Sequence, residues 1–188
     1  VETVGKDASK LKINVPAVQN QGTEYSFFYG SQTIVEATPA HFDLKSTFAV
    51  LELSISTNSY GVGNALSEIT VSATDAKLTG DFDVDLTVSN VVAKVNEAYI
   101  YGNAATLKMS GDAAILKADA PVKARIVINP DQLEGKDLSI VVKMGEDSWS
   151  FTEAGRNFLA NKVYPITLSI NAPAVNLNRT ERGMEYAN

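Results

Sequence analysis

Apolar residues recur at every second position through most of this chain, and no other feature of the sequence limits the fold so strongly. A period of two places successive side chains on opposite faces of an extended backbone, so it marks strands with one buried face. Leu11, Ile13 and Val15 alternate ahead of Pro16. Ile69, Val71 and Ala73 oppose Glu68, Thr70 and Ser72, and after a polar turn Leu78, Gly80, Phe82, Val84 and Leu86 oppose Asp81, Asp83 and Asp85. These two segments read as neighbouring strands. Further runs cover Tyr99 to Tyr101, Ala105 to Met109, Val122 to Ile128, Leu138 to Met144 and Tyr164 to Ile170. The pieces between them, such as TNSYGVGN, SGD, MGED and LANK, are rich in residues that accept turn dihedrals. Short strands joined in this way build a sandwich or a barrel. Helix is scarce: only FTEAGRNFLA (151–160) and NPDQLEG (129–135) allow a turn of it. Pro165 has no N–H for a ladder, which places its strand at a sheet edge or turns that position to solvent.

The stretch HFDLKSTFAVLELSIST (41–57) breaks the rule once. Phe42, Leu44, Phe48 and Val50 share one parity, whereas Leu51, Leu53 and Ile55 share the other. A β-bulge or a segment buried on both faces would absorb the slip, and Leu44, Phe48, Leu51 and Ile55 also fit a helical spacing. The Ser, Thr and Ile of the continuation favour strand. His41, the single histidine, and Asp43 would then sit about 7 Å apart on one side of the strand, too far for a base and its orienting carboxylate. His41 reads as an ordinary histidine at the start of a strand.

Composition excludes several classes of function. The 188 residues suffice for a self-contained core, and 45% hydrophobic with 20% charged content is ordinary for a folded domain. A formal net charge of −6 with no basic cluster disfavours nucleic acid and anionic lipid as partners. There is no cysteine, hence no disulfide, thiolate metal site or thiol nucleophile. No run approaches the ~18 consecutive apolar residues of a membrane span. The chain opens on Val1 rather than methionine, so an upstream segment carrying targeting information is expected. From Asn171 onward the alternation stops; residues 1–171 are expected to form one domain and 172–188 a linker or tail that leads to a further domain.

Reactive constellations are missing from the pattern. Asp81, Asp83 and Asp85 suggest calcium, but an EF-hand loop counted from Asp81 would need Gly and Glu where Leu86 and Val92 stand, so the series reads as a solvated strand face. No G-x-S-x-G elbow and no Gly-rich phosphate loop occurs. The expectation is no catalytic residue, no metal and no cofactor. Aromatic residues carry the remaining signal. Tyr25, Phe28 and Tyr29 crowd one short stretch, and if exposed they, together with Trp149, would offer rings to a sugar or a protein partner; packing in the core is the alternative for each.

Four phrases in fixed order, KINVPAVQNQGTEYSFFYG, FDLKSTFAVLELSIST, EITVSATDAKLTGDFDVDLT and FLANKVYPITLSIN, resemble the amino-terminal domain of the fimbrillin-like proteins, the type V pilins and surface adhesins of anaerobic Gram-negative bacteria. The family's closing phrase usually carries glycine where this chain has Asn161. The resemblance implies an all-β fold, a two-sheet transthyretin-like or Ig-like β-sandwich of about seven or more antiparallel strands with little helix. It also implies export as an outer-membrane lipoprotein and display at the cell surface or in a fimbrium. Any membrane contact would run through a lipid anchor outside this chain. Polymerising members are cut after an arginine near their first strand, and here no arginine precedes Arg125.

Three functional readings follow. The leading one is a non-enzymatic pilus subunit, anchor or tip component, or adhesin, whose partners are other fimbrial subunits or a host or bacterial surface receptor. Leu11, Ile13 and Val15 would be its assembly strand, occupying a groove that a neighbour's strand could fill by β-augmentation. The alternative is a glycan-binding module of a nutrient-capture system, using Tyr25, Phe28, Tyr29 and Trp149. A β-sandwich hydrolase ranks last, because it needs convergence of carboxylates such as Asp81, Asp83 or Glu153.

Overall fold

The computed structural model describes residues 2–4, 7–21, 25, 27–30, 39, 41, 43–89, 91–155 and 157–171, with side chains placed from Ser9 onward. The expected tail, 172–188, lies outside the described residues. Fifteen strands occur among them: β1 (Glu2–Val4), β2 (Asp7–Val15), β3 (Val18–Asn20), β4 (Phe28–Tyr29), β5 (Lys45–Ser46), β6 (Ala49–Thr57), β7 (Glu68–Ser72), β8 (Thr79–Asp85), β9 (Ala93–Lys94), β10 (Tyr101–Gly102), β11 (Ala104–Lys108), β12 (Val122–Ile128), β13 (Leu138–Met144), β14 (Asp147–Glu153) and β15 (Lys162–Ile170). One 3-10 turn, Asp112–Ala114, is the only helical element described. The segment 151–160 begins as the end of β14, and 129–135 forms successive hydrogen-bonded turns, Leu133 N–H to Pro130 and Lys136 N–H to Leu133.

The fold is all-β, and its strands form three main sheets and one short ladder. Sheet I has the order β1-β2-β8-β10, with β9 added on β8; sheet II runs β14-β13-β7-β11-β3; sheet III is β12-β6-β15; β4 pairs with β5. Most pairs are antiparallel, but β15 runs parallel to β6 and β3 parallel to β11. Pro165 falls in β15, whose one partner among the described strands is β6, so the proline sits on an edge as its missing donor requires.

Sheets II and III form the sandwich. Leu51, Leu53 and Ile55 of β6, Ala124 and Ile126 of β12, and Ile166 and Leu168 of β15 meet Ile69 and Val71 of β7, Leu107 of β11, and Ile140 and Val142 of β13 in one buried cluster. Each fully buried aliphatic side chain contributes about 1.5–3 kcal/mol relative to an exposed one. A second, smaller cluster joins Ile13 and Val15 of β2 and Phe82 and Val84 of β8 to Phe48 and Val127. Phe48 anchors it, its ring edge-on to Phe27 at 5.6 Å and to Phe82 at 5.9 Å. Sheet III is thus covered on both faces near Phe48, and the parity slip of the sequence is the doubly buried segment: Phe48 and Val50 serve the second cluster, and Ala49, Leu51 and Leu53 the first.

One expectation is corrected. The segments 68–73 and 78–86 are not paired with each other: β7 lies in sheet II between β13 and β11, and β8 lies in sheet I between β2 and β10. Leu78 is buried in the first cluster, whereas Phe82 and Val84 belong to the second. The chain turns at Asp75, with φ 54, then crosses between sheets, where the Leu78 N–H is taken by the Gly102 carbonyl rather than by a β7 partner. Alternation reports a buried face but not which strand lies alongside. Gly80 marks the crossing: at φ +125 it would bring any Cβ to 2.6 Å from the Ile100 carbonyl oxygen, so only glycine fits.

Asn161 also has positive φ, 60. Its N–H donates to the Phe48 carbonyl and its Oδ1 accepts from the Ser46 N–H at 2.9 Å, which fixes β5 and the start of β6 against β15. Asparagine tolerates this left-handed geometry where glycine would otherwise serve.

Candidate functional site

The first cluster fills one face of sheet III, and the second covers only part of the other. Beyond Val50 and Val127 the described residues of that face line a groove of about 620 Å³. Its floor follows from strand alternation: Leu51 and Leu53 point into the first core, so Glu52 and Ser54 of β6 point outward, as do Lys123 and Arg125 of β12. Antiparallel register sets Arg125 opposite Glu52 and Lys123 opposite Ser54. Arg125 donates from Nε at 3.0 Å and from Nη2 at 2.7 Å to Glu52 Oε2, and Lys123 Nζ donates to Ser54 Oγ at 2.6 Å. Both are cross-strand pairs of the kind that stabilise a sheet. Lys162 and Val163 of β15 edge the groove, and Tyr25 and Phe28 line it as rings.

A buried amide holds the groove's other side. Gln19, 1% exposed, donates from Nε2 to the Val127 carbonyl at 2.8 Å and accepts at Oε1 from the Val127 N–H at 3.0 Å. Strand β12 is an edge of sheet III, so both groups of Val127 would lack a ladder partner. The carboxamide copies the donor and acceptor of a neighbouring backbone and latches sheet II to sheet III where the chain passes from β2 into β3.

The sequence-derived candidates divide. Leu11, Ile13 and Val15 all lie in β2, opposite Val84, Phe82 and Gly80 of β8, with Ile13 and Val15 buried and Leu11 packed at the margin of the second cluster. Strand β1 pairs along the other edge of β2. Tyr25 and Phe28 come together at the groove, with Phe28 60% exposed. Tyr29 is half-buried against the second cluster. Trp149 is elsewhere: on β14 it packs against the first core, meets Tyr60 edge-on at 5.8 Å and donates from Nε1 to the Asn171 carbonyl at 2.8 Å. The four aromatics therefore do not form one platform.

His41 and Asp43 are exposed and precede any strand of their segment. The aspartates of β8 are hydrogen-bonded rather than merely solvated. Asn14 donates to Asp81, Asn96 and Tyr99 donate to Asp83, and the Thr87 N–H and hydroxyl both donate to Asp85. The hydrogen bond to Asp83, followed by desolvation, raises the Tyr99 pKa above the ordinary phenol value. Glu153 lies on sheet II, apart from Asp81 and Asp83 on sheet I. Among the described residues no cluster of three His, Cys, Asp or Glu is placed to hold a metal ion.

The groove residues Gln19, Glu52, Lys123, Arg125 and Lys162 carry no local sequence signal. Arg125 and Glu52 are 73 positions apart and meet only through the β6–β12 register.

No protein-family model matches the chain, and no curated protein matches it. Solved structures do. A "putative cell adhesion protein" from Bacteroides ovatus matches with a TM-score of 0.63 at 15% identity, over 92% of this chain and 59% of that one. Another "putative cell adhesion protein", from Bacteroides uniformis, matches with a TM-score of 0.55 at 14% identity, over 87% of this chain and 62% of that one. The chain spans about three fifths of the length of these two neighbours. At such identities the likeness is one of fold.

Proposed function

We propose that this chain is a non-enzymatic cell-surface module of the fimbrillin-like kind: a pilus subunit, an anchor or tip component, or an adhesin. It would be held at the outer membrane or in a fimbrium and contact other subunits or a surface receptor through strand edges and loops. The observation that carries this reading is the fold likeness to the "putative cell adhesion protein" of Bacteroides ovatus, which extends over 92% of the chain. The four ordered phrases of the sequence favour the fimbrillin-like assignment within that fold.

Assembly would use β2. Its Ile13 and Val15 fill the second cluster against Phe82 and Phe48, and its backbone supplies the antiparallel ladder of β8 from Lys10 to Val15. Removing β1 and β2 would leave β8 with an unpaired edge and an apolar trough beside it, the two components that an added strand requires.

The test is deletion of residues 1–15 followed by light scattering of the purified chain. Oligomers that dissociate on adding excess peptide of residues 7–15 are expected. A deletion variant that stays monomeric and as stable as the intact chain would overturn assembly through β2, and so would oligomers indifferent to the peptide.

A further inference from the structure

The groove on sheet III has a charge unlike that of the molecule around it. The chain carries a formal net charge of −6, yet among the described residues that line the groove the charged side chains are Lys123, Arg125 and Lys162 against the carboxylate of Glu52. Arg125 lies across the floor with its side chain 68% exposed, and Glu52 engages it through one oxygen, Oε2. The guanidinium thus has donors left over, and it is held in orientation by its neighbour. Lys162 has no partner among the described residues and borders the same space. Phe28, 60% exposed, and Tyr25 add apolar ring surface.

We propose that this groove binds an acidic oligosaccharide, with a carboxylate or sulfate of the sugar on Arg125 and Lys162. A fixed guanidinium recognises such planar or tetrahedral anions by paired, charge-assisted hydrogen bonds. Glu52 Oε1, the Asn20 amide and the Gln21 amide, which also donates to the Ala113 carbonyl and accepts from the Ser110 N–H, suit hydroxyl groups at the groove margin, since these both donate and accept. The rings of Phe28 and Tyr25 suit the apolar face of a pyranose, a surface with one dry side and one wet side. An acidic peptide would satisfy the cations but leave this mixture of amides and ring faces unused. The inference rests on the reading of the chain as a recognition module and not on assembly through β2, so the binding assay here and the oligomer assay above fail separately.

The experiment is isothermal titration of the intact chain with tetragalacturonate, with its fully methyl-esterified form, and with tetraglutamate. Binding of tetragalacturonate is expected to weaken about tenfold or more in Arg125→Gln and in Phe28→Ala, as loss of one charge-assisted or ring contact implies. Affinity should fall as salt rises, the ester should bind far more weakly, and Lys94→Gln, remote from the groove, should bind as the parent does. Thermal melts of the two groove variants that match the parent exclude misfolding as the cause. No binding of tetragalacturonate, equal binding of the ester, or preference for tetraglutamate would each overturn the proposal.

Discussion

At the scale of single residues, Gln19 is a polar side chain that ties two sheets together. Its carboxamide satisfies both polar groups of Val127 at an edge where water is excluded, with Gln19 1% and Val127 5% exposed. Gln19→Ala leaves a buried donor and a buried acceptor without partners, so a loss of roughly 2–4 kcal/mol is expected in urea unfolding at neutral pH. A loss below about 0.5 kcal/mol would mean that the latch is dispensable. Glu68 makes the opposite case, a charge whose value is small and dependent on pH. On β7 it accepts from Lys108 and, at 3.0 Å, from Lys143, each directly across the ladder. These hydrogen bonds, Lys108 first, hold its carboxyl below the ordinary value of 4.5. A depressed folded pKa contributes stability that is complete above about 4.5 and lost as pH falls through the folded value. Glu68→Gln should therefore cost less than about 1 kcal/mol at pH 7. Its urea midpoint should converge on that of the parent below pH 4.5, and a gap that persists at pH 3 would assign the effect to packing instead.

At the scale of elements, the sequence disclosed strands well and their neighbours poorly. Most of the alternating runs became strands close to the expected bounds, because burial on one face writes a period of two into the chain wherever the face points. Partnership leaves no such mark. The segments around Val71 and Val84 look alike in sequence yet contribute to different cores, and the six residues that separate them from each other's sheet include Asp75 at positive φ, not a tight hairpin turn. Strand β6 and the bend that leads into it show what a central position does to the pattern: Phe48, just ahead of β6, and Leu53 within it, on opposite parities, are both fully buried. Leu53→Ala should cost about 2–5 kcal/mol and Phe48→Ala about 3–5 kcal/mol in chemical denaturation. The two sites belong to separate clusters on opposite faces of sheet III, so the double variant should equal their sum within about 0.5 kcal/mol. A larger discrepancy would show strain passed through β6 from one core to the other.

At the scale of the whole molecule, the question is whether two cores make two cooperative units. The groove shows why the sequence alone left the larger arrangement open: its rings, Tyr25 and Phe28, were legible as an aromatic cluster, but its cations come from β12 and β15 and converge only once sheet III exists. The same convergence couples the cores. Sheet III gives one face of β6 to the first cluster and Phe48 and Val50 to the second, and Val127 faces the second from between Ile126 and Ile128 of the first. Residues 7–20 run from β2 in sheet I into β3 in sheet II, and residues 101–108 run from β10 in sheet I into β11 in sheet II. Opening either core thus breaks strands that the other needs, with the Gln19 latch at the junction. Scanning calorimetry should show one transition, with the calorimetric and van't Hoff enthalpies in a ratio near one. Phe48→Ala should move that transition down as a single peak, because the cavity it opens weakens a shared strand. A split into two peaks would mean that sheet I melts by itself, and that the continuity of β2 with β3 and of β10 with β11 does not transmit stability between the cores.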